Sequence, residues 1–336
     1  MFRSVRFWVG AGISAILIAL FFRATHPREM SSAFSEADYL YMAPAVGVLF
    51  LALWLRCYRW SLLMRPVATI APRRLFSYAI IGYMANNLIP ARAGEIVRAY
   101  VLGDREHVSK VGTLGTIAVE RLFDGVVLVL MLLTAGAIVG LDDGKLQVIA
   151  VASTALFVVA FAVFYWVTAS IDRAHRLVHA ITSRLPGRLG EVTENVAEPL
   201  VNGLRSVHDW RTFGAVLVLS AAAWTVEAGA YAVIGRGFGI EINFVHFALL
   251  LAAANLAIII PTFFGGTGPF EWAAKLVLIG AGVPQGLAAA YAIVAHAVIF
   301  IPTTIVGLVL LWTFGISIGR LSQMELPVDE KPAAVP

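Results

Sequence analysis

The chain has 336 residues, of which 60% are hydrophobic and only 14% charged, where a soluble domain carries roughly 25% charged residues. Its mean hydropathy of +0.83 argues against a soluble α/β domain. The formal net charge of +4 is spread along short loops, which points to a membrane surface and not to nucleic acid, and the lone Cys57 excludes an internal disulfide or a cysteine-cluster metal site.

In chain order, apolar runs long enough to cross a bilayer of about 20 residues' thickness are expected at Phe7–Phe22, Leu40–Leu55, Val111–Val139, Leu146–Thr168, Phe213–Ile234 and Pro284–Phe314. The first follows Arg3 and Arg6, as in a signal peptide. Arg23, His26 and Pro27 make a poor cleavage site after it, so an uncleaved span is preferred.

Two pairs of shorter apolar segments stand between the long ones: Leu75–Ile89 with Gly94–Gly103, and Val245–Ile260 with Gly268–Gly282. Each pair is broken by a proline, Pro90 or Pro261, followed by glycines that include Gly94, Gly265, Gly266 and Gly268. Proline removes a helix donor and glycine frees the backbone, so both pairs read as re-entrant helical hairpins. Irregular backbone at that depth needs cover from protein or a wet cavity.

Ser170–Arg211 is the only sizeable polar stretch. Its stripes Ile171, Ala174, Val178, Ile181, Leu185 and Leu189, Val192, Val196, Leu200, Leu204 predict two amphipathic helices on the cytoplasmic face. His175 and His179 within it are read as a solvated face, not a metal site. The tail after Gln323 is expected to be disordered.

Most of the 25 Lys and Arg residues fall on one side if the N-terminus is cytoplasmic, including Arg56, Arg59, Arg65, Arg73, Arg74, Arg92, Arg98 and Arg105. This predicts both termini inside.

The broken regions resemble each other. Phe76 and Phe247 each stand 14 residues before the proline, glycines follow it, and Glu95, Arg98 and Gly103 parallel Glu271, Lys275 and Gly280. With one hairpin entering from each side, this is an inverted repeat, a pattern of secondary transporters with a site at the repeat interface.

The spans also carry charge. Glu95 and Arg98 are three apart and Glu271 and Lys275 four apart, so each pair shares a helix face. Glu120, Arg121 and Asp124 lie in one long span and Glu227 in another. A charge at a helix centre costs about 2.5–3.5 kcal/mol, so these groups must face one another or water. One reading makes them ion pairs that lock hairpins to spans. The other lines a polar cavity in which Arg92, Arg98 and Arg121 meet an anionic headgroup while Glu95 and Glu271 orient the bases or relay protons. The helix N-termini at Gly94 and Gly268 would favour an anion there too. Asn86, Asn87 and Asn255 read as hydrogen-bonding glue between helices, and His296 as either a proton-responsive group or a satisfied core histidine. No G-x-S-x-G, H-E-x-x-H or P-loop signature occurs.

The segment GYMANNLIPARAGEIVRAYVLG at Gly82–Gly103, with Glu120-Arg121-Leu-Phe-Asp124 and Gly265-Gly-Thr-Gly-Pro-Phe-Glu271, resembles the lysylphosphatidylglycerol synthase transmembrane-region family, also called flippase-like, over nearly the whole chain. The resemblance implies translocation of a lipid or of a polyprenyl-linked substrate. Two departures stand out. The chain ends soon after its last span, without the soluble aminoacyl-transferase domain, so an enzymatic role is not expected. His296 also stands where the resemblance leads one to expect an arginine.

The fold expected is all-α: a polytopic membrane helix bundle of about six full spans plus two re-entrant hairpins in an inverted repeat. Residues 1–322 form one transmembrane domain, with 170–211 cytoplasmic and 323–336 disordered. The location expected is the cytoplasmic (inner) membrane. The substrate-binding residues expected are Asn87, Arg92, Glu95, Arg98, Glu120, Arg121, Asp124, Glu271 and Lys275, with no cofactor and no metal. The partners expected are a membrane lipid or polyprenyl-phosphate-linked substrate. The alternative is a non-transporting membrane partner or scaffold for a lipid-modifying or glycosyl-transfer enzyme.

Overall fold

The computed structural model describes residues 27–89, 93–140, 210–258 and 266–316 continuously, with short pieces at 21–23, 150–152 and 154–159 and a few isolated positions. The expected spans Phe7–Phe22 and Leu146–Thr168, the amphipathic pair in Ser170–Arg211 and the tail after Gln323 lie wholly or mostly outside these residues. So do Pro90, Arg92, Pro261 and Gly265.

The described residues contain helices and no strand. In chain order they are α1 (Pro27–Glu36), a short 3-10 turn (Tyr39–Tyr41), α2 (Met42–Met64), α3 (Pro72–Leu88), α4 (Gly94–Glu106), α5 (Lys110–Val139), α6 (Trp210–Gly237), α7 (Phe244–Ala257), α8 (Pro269–Gly280) and α9 (Gln285–Thr313). Among the described residues, four segments are long and apolar enough to cross a membrane: Tyr39–Met64, α5, α6 and α9. The chain is thus a multi-pass membrane protein.

The first of these corrects the expected Leu40–Leu55. The helix runs on to Met64, so Arg56 and Arg59 lie inside it and not in a loop, and both are buried. They break the apolar run in sequence, yet the helix continues because acids on α5 and α6 receive them. The segment Pro27–Glu36, which falls between two of the expected spans, is also helical. Its Ala33 is buried, and Met30 and Phe34 pack on the same core.

The short helices have local causes. Pro72 opens α3 at a position where the missing N–H costs nothing. The α3 helix stops at Leu88 because Ile89 precedes Pro90 and takes an extended conformation, φ −101° and ψ 126°, as a residue before proline does. α4 ends on His107 in the left-handed region, φ 55°, and Val108 N–H donates to the Gly103 carbonyl at 3.3 Å. Ser109 then caps α5 by accepting from Gly112 N–H at 3.0 Å. On the other hairpin, Gly266 (φ 97°) and Gly268 (φ 106°) hold conformations closed to side-chain-bearing residues.

The long helices run antiparallel to their neighbours. Asp38 N–H donates to the Gly237 carbonyl at 2.8 Å, joining the start of α2 to the end of α6. The end of α9 lies over the start of α3, where the Phe314 and Tyr78 rings are 5.8 Å apart. One end of the bundle therefore carries Arg65, Arg73, Arg74, Arg105, Lys110 and Arg211. The other carries Glu29, Glu36, Asp38 and Glu241 with Arg28 and Arg236. Exposed aromatics mark both ends: Trp210 and Trp312 at the basic one, Tyr39, Tyr41 and Phe244 at the other. This is the aromatic belt of a bilayer-spanning protein.

α3 and α4 together, like α7 and α8, form pairs of helices each too short for a hydrocarbon core of about 30 Å. Asn87, at the end of α3, donates through Nδ2 to Thr304 Oγ1 at 2.8 Å and to the Phe300 carbonyl at 3.3 Å, halfway along α9. From the other side, Glu271 on α8 meets His296 of α9 at 2.6 Å. Both pairs thus abut the middle of one long helix within two turns of each other, next to Pro302.

Candidate functional site

The polar centre is built on α5, whose Glu120 and Asp124 stand one turn apart on a single face. Both are buried, and each is gripped by an arginine fork. Arg98 of α4 donates through Nη1 and Nη2 to the two Glu120 oxygens at 3.1 and 3.0 Å. Arg59 of α2 donates to the two Asp124 oxygens at 2.5 and 3.2 Å, and to Ser220 Oγ of α6 at 2.6 Å. Two parallel N–H···O bonds are the strongest form of such a pair and fix its geometry.

Tryptophans seal the network. The Arg98 guanidinium lies 3.3 Å from the Trp60 ring centroid, and that indole donates to Thr116 Oγ1 at 3.0 Å. The Arg56 guanidinium lies 4.0 Å from the Trp224 ring centroid and 2.6 Å from Glu227 Oε2, and the Trp224 indole donates to Asp124 Oδ1 at 3.0 Å. Indole faces carry a negative quadrupole, so they hold cations without needing solvent. Arg56, Arg59, Arg98 and Arg121 face Glu95, Glu120, Asp124 and Glu227, and the charges balance.

Arg121 differs from the rest. Its side chain is 41% exposed, and its contacts are long: 3.3 Å to Glu120, 3.7 Å to Glu95 and 3.8 Å to Asp124. It sits at the rim, beside the first hairpin break. There Gly94 N–H donates to Asn86 Oδ1 at 2.8 Å, and Asn86 Nδ2 donates to Glu95 Oε1 at 3.2 Å.

Several expectations need correction. Glu95 and Arg98 share a helix face but are not each other's partners: Arg98 is bound to Glu120, and Glu95 turns to Asn86 and Arg121. Three residues of spacing permits contact, but Glu120 on α5 offers both oxygens to the fork. Glu271 is engaged by His296 and by Gly268 N–H at 2.7 Å, while the Lys275 ammonium lies 5.1 Å over the Phe21 ring. The N–H groups of Gly94 and Gly268 are thus already taken by protein acceptors. Asn87 joins helices as expected, and Asn255, whose side chain stands beside Tyr231 of α6, also donates to the Leu251 carbonyl of its own helix at 2.9 Å.

Of the expected site residues, Glu95, Arg98, Glu120, Arg121 and Asp124 come together. Glu271 lies on the other hairpin, near Asn87 only through α9. Arg56, Arg59, Trp60 and Trp224 belong to the network although the sequence did not point to them, and Glu227, expected among the charges needing compensation but not among the site residues, joins them through Arg56. A signal was available: the acids Glu95, Glu120, Asp124, Glu227 and Glu271 outnumber the bases Arg98, Arg121 and Lys275 in the apolar segments, and Arg56 and Arg59 lie three apart within a run that stays apolar on both sides.

The sequence model described as the lysylphosphatidylglycerol synthase TM region matches residues 7–307. The chain belongs to this family. Among its relatives are two UPF0104 membrane proteins of Methanothermobacter thermautotrophicus. One is 27% identical over 92% of this chain and 95% of its own length, the other 27% over 88% and 90%. Glycosyltransferase AglD of Haloferax volcanii is 29% identical over 88% of this chain, which spans 52% of that protein. No solved structure matches. Within this family member the Glu-Arg-x-x-Asp string is the hub of the ion network, and Glu95 and Arg98 of α4 dock on it.

Proposed function

We propose that this protein moves an anionic lipid or polyprenyl-phosphate-linked substrate across the cytoplasmic membrane, with its basic end facing the cytoplasm. The observation that carries the reading is Arg121: a half-exposed, loosely held cation beside a hairpin break, at the edge of a network whose other arginines are tightly bound. α3–α4 and α7–α8 are read as re-entrant hairpins forming an inverted repeat. Their opposite directions of entry and their meeting at the middle of α9 support this. Such an arrangement puts the substrate path where the hairpin ends converge. Arg121, with Arg92 and Glu95, is the headgroup contact. Arg59, Arg98, Glu120 and Asp124 hold the hairpin on the spans, and Glu271, Lys275 and Asn87 line the second half of the path.

The experiment is reconstitution of the full chain into liposomes with fluorescent phosphatidylglycerol or polyprenyl phosphate, read by quenching of the outer leaflet. Arg121→Gln should cut the transport rate at least about tenfold, the worth of one charge-assisted contact, while leaving the melting temperature close to that of the parent. Equal rates in the parent and in protein-free liposomes, over the whole panel, end the reading. The likeness to glycosyltransferase AglD favours one other reading, a membrane partner for glycosyl transfer. It predicts no lipid movement but loss of a glycan product when the protein is removed from cells.

A further inference from the structure

Away from the central network, a cavity of about 470 Å³ opens at the basic end between α3, α4 and α9. It is lined by Arg73, Arg74, Ser77, Tyr78, Arg105 and Phe314. Three guanidiniums face it. Among the described residues one carboxylate, Glu106, stands beside them and is already committed: it accepts from the Tyr78 hydroxyl at 2.5 Å and pairs with Arg74 at 3.1 Å. The cavity therefore keeps a surplus of positive charge. It also sits at the first turn of α3, where the helix dipole adds partial positive charge and no side chain caps the end.

One wall is pre-organised. Arg105 donates to the Phe314 carbonyl and lies 4.9 Å over the Phe314 ring, which holds its fork in place. Depth argues for the source of the ligand. Trp312, two residues before Phe314, is 81% exposed, and Trp210 at the same end is 77% exposed, which sets this level as the headgroup layer. A phosphate there has its oxygens among the arginines and its glycerol side toward the Phe314 ring.

We infer that this cavity binds the phosphate of a membrane phospholipid. The chemistry it recognises is a phosphate ester flanked by apolar substituents, and the source is the bilayer, not a free anion. The inference does not depend on translocation, since a lipid can be held here by a protein that moves none.

The test uses the purified full chain in detergent at fixed ionic strength, titrated with dioctanoyl phosphatidylglycerol, with dioctanoylglycerol and inorganic phosphate as separate arms. Saturable binding of the phospholipid is expected, with dioctanoylglycerol and inorganic phosphate each weaker. Arg73→Gln with Arg105→Gln should weaken phospholipid binding at least about tenfold. Arg65→Gln, an exposed base at the same end outside the cavity, should change it less than about twofold. If the double variant melts early because Arg105 anchors Phe314, Arg73→Gln alone should still weaken binding about threefold or more. Equal loss in Arg65→Gln overturns the site in favour of general surface charge. Equal binding of dioctanoylglycerol, or tighter binding of inorganic phosphate than of the phospholipid, overturns it as well.

Discussion

At the scale of single residues, the network separates side chains by how firmly they are held. Arg59 is fully buried and neutralises Asp124 while lying 3.5 Å from Glu120. Removing one partner of such a pair strands a charge and costs about 3–5 kcal/mol. Arg59→Gln should therefore lower the melting temperature of the detergent-solubilised protein sharply or abolish its recovery, whereas Arg121→Gln should cost no more than about 1 kcal/mol. Comparable melting of the two variants would mean that the fork on Asp124 contributes little. Arg98 belongs with Arg59. Its loss should be offset by the matching change Glu120→Gln, and not by Glu95→Gln, because the carboxylate in its fork is Glu120.

At the scale of elements, the first hairpin depends on close backbone approach. A Cβ on Gly94 would lie 2.1 Å from the Gly82 carbonyl oxygen and 2.5 Å from the Asn86 side chain. α3 and α4 cannot both keep their positions with a methyl there. Gly94→Ala should destabilise the protein by about 1–3 kcal/mol or more and pull Glu95 and Arg98 out of register with α5. Gly280, at the end of α8, meets nothing within 4 Å, so Gly280→Ala is the control and should melt like the parent. The proline-and-glycine pattern made both breaks legible in the sequence, because Ile89 before Pro90 and the positive-φ glycines Gly266 and Gly268 follow from local sterics. The length of α2 was not legible. Two arginines ordinarily end an apolar run, and only the acids of α5 and α6 make it possible to bury them.

At the scale of the whole molecule, the ends of the bundle differ in charge, and the positive-inside rule turns that difference into an orientation. In a chain carrying Cys57→Ser, Glu241→Cys should react with a membrane-impermeant maleimide in intact cells. Arg73→Cys should react only after permeabilisation. Labelling of both from outside, or the reverse order, would overturn the orientation with the cytoplasm at the basic end. Moving Arg56, Arg59 and Arg98 into the buried network removes three bases from the expected cytoplasmic count, and the asymmetry remains because Arg65, Arg73, Arg74, Arg105, Lys110 and Arg211 still share one end.

The sequence by itself determined that this is a helical membrane protein of the lysylphosphatidylglycerol synthase TM region family, and it determined where its hairpins break. Hydropathy, proline and glycine act over one or two turns and need no partner to be read. It also determined that Glu95, Arg98, Glu120, Arg121 and Asp124 must be compensated, since desolvating a lone charge is costly wherever it happens. Which charge meets which was decided only by the tertiary structure. Arg59 finds Asp124 across 65 positions of sequence, and Arg98 finds Glu120 across 22. An arginine fork takes the carboxylate whose two oxygens lie in its plane, and that geometry is set by how α2, α4 and α5 pack together, not by spacing along any one of them.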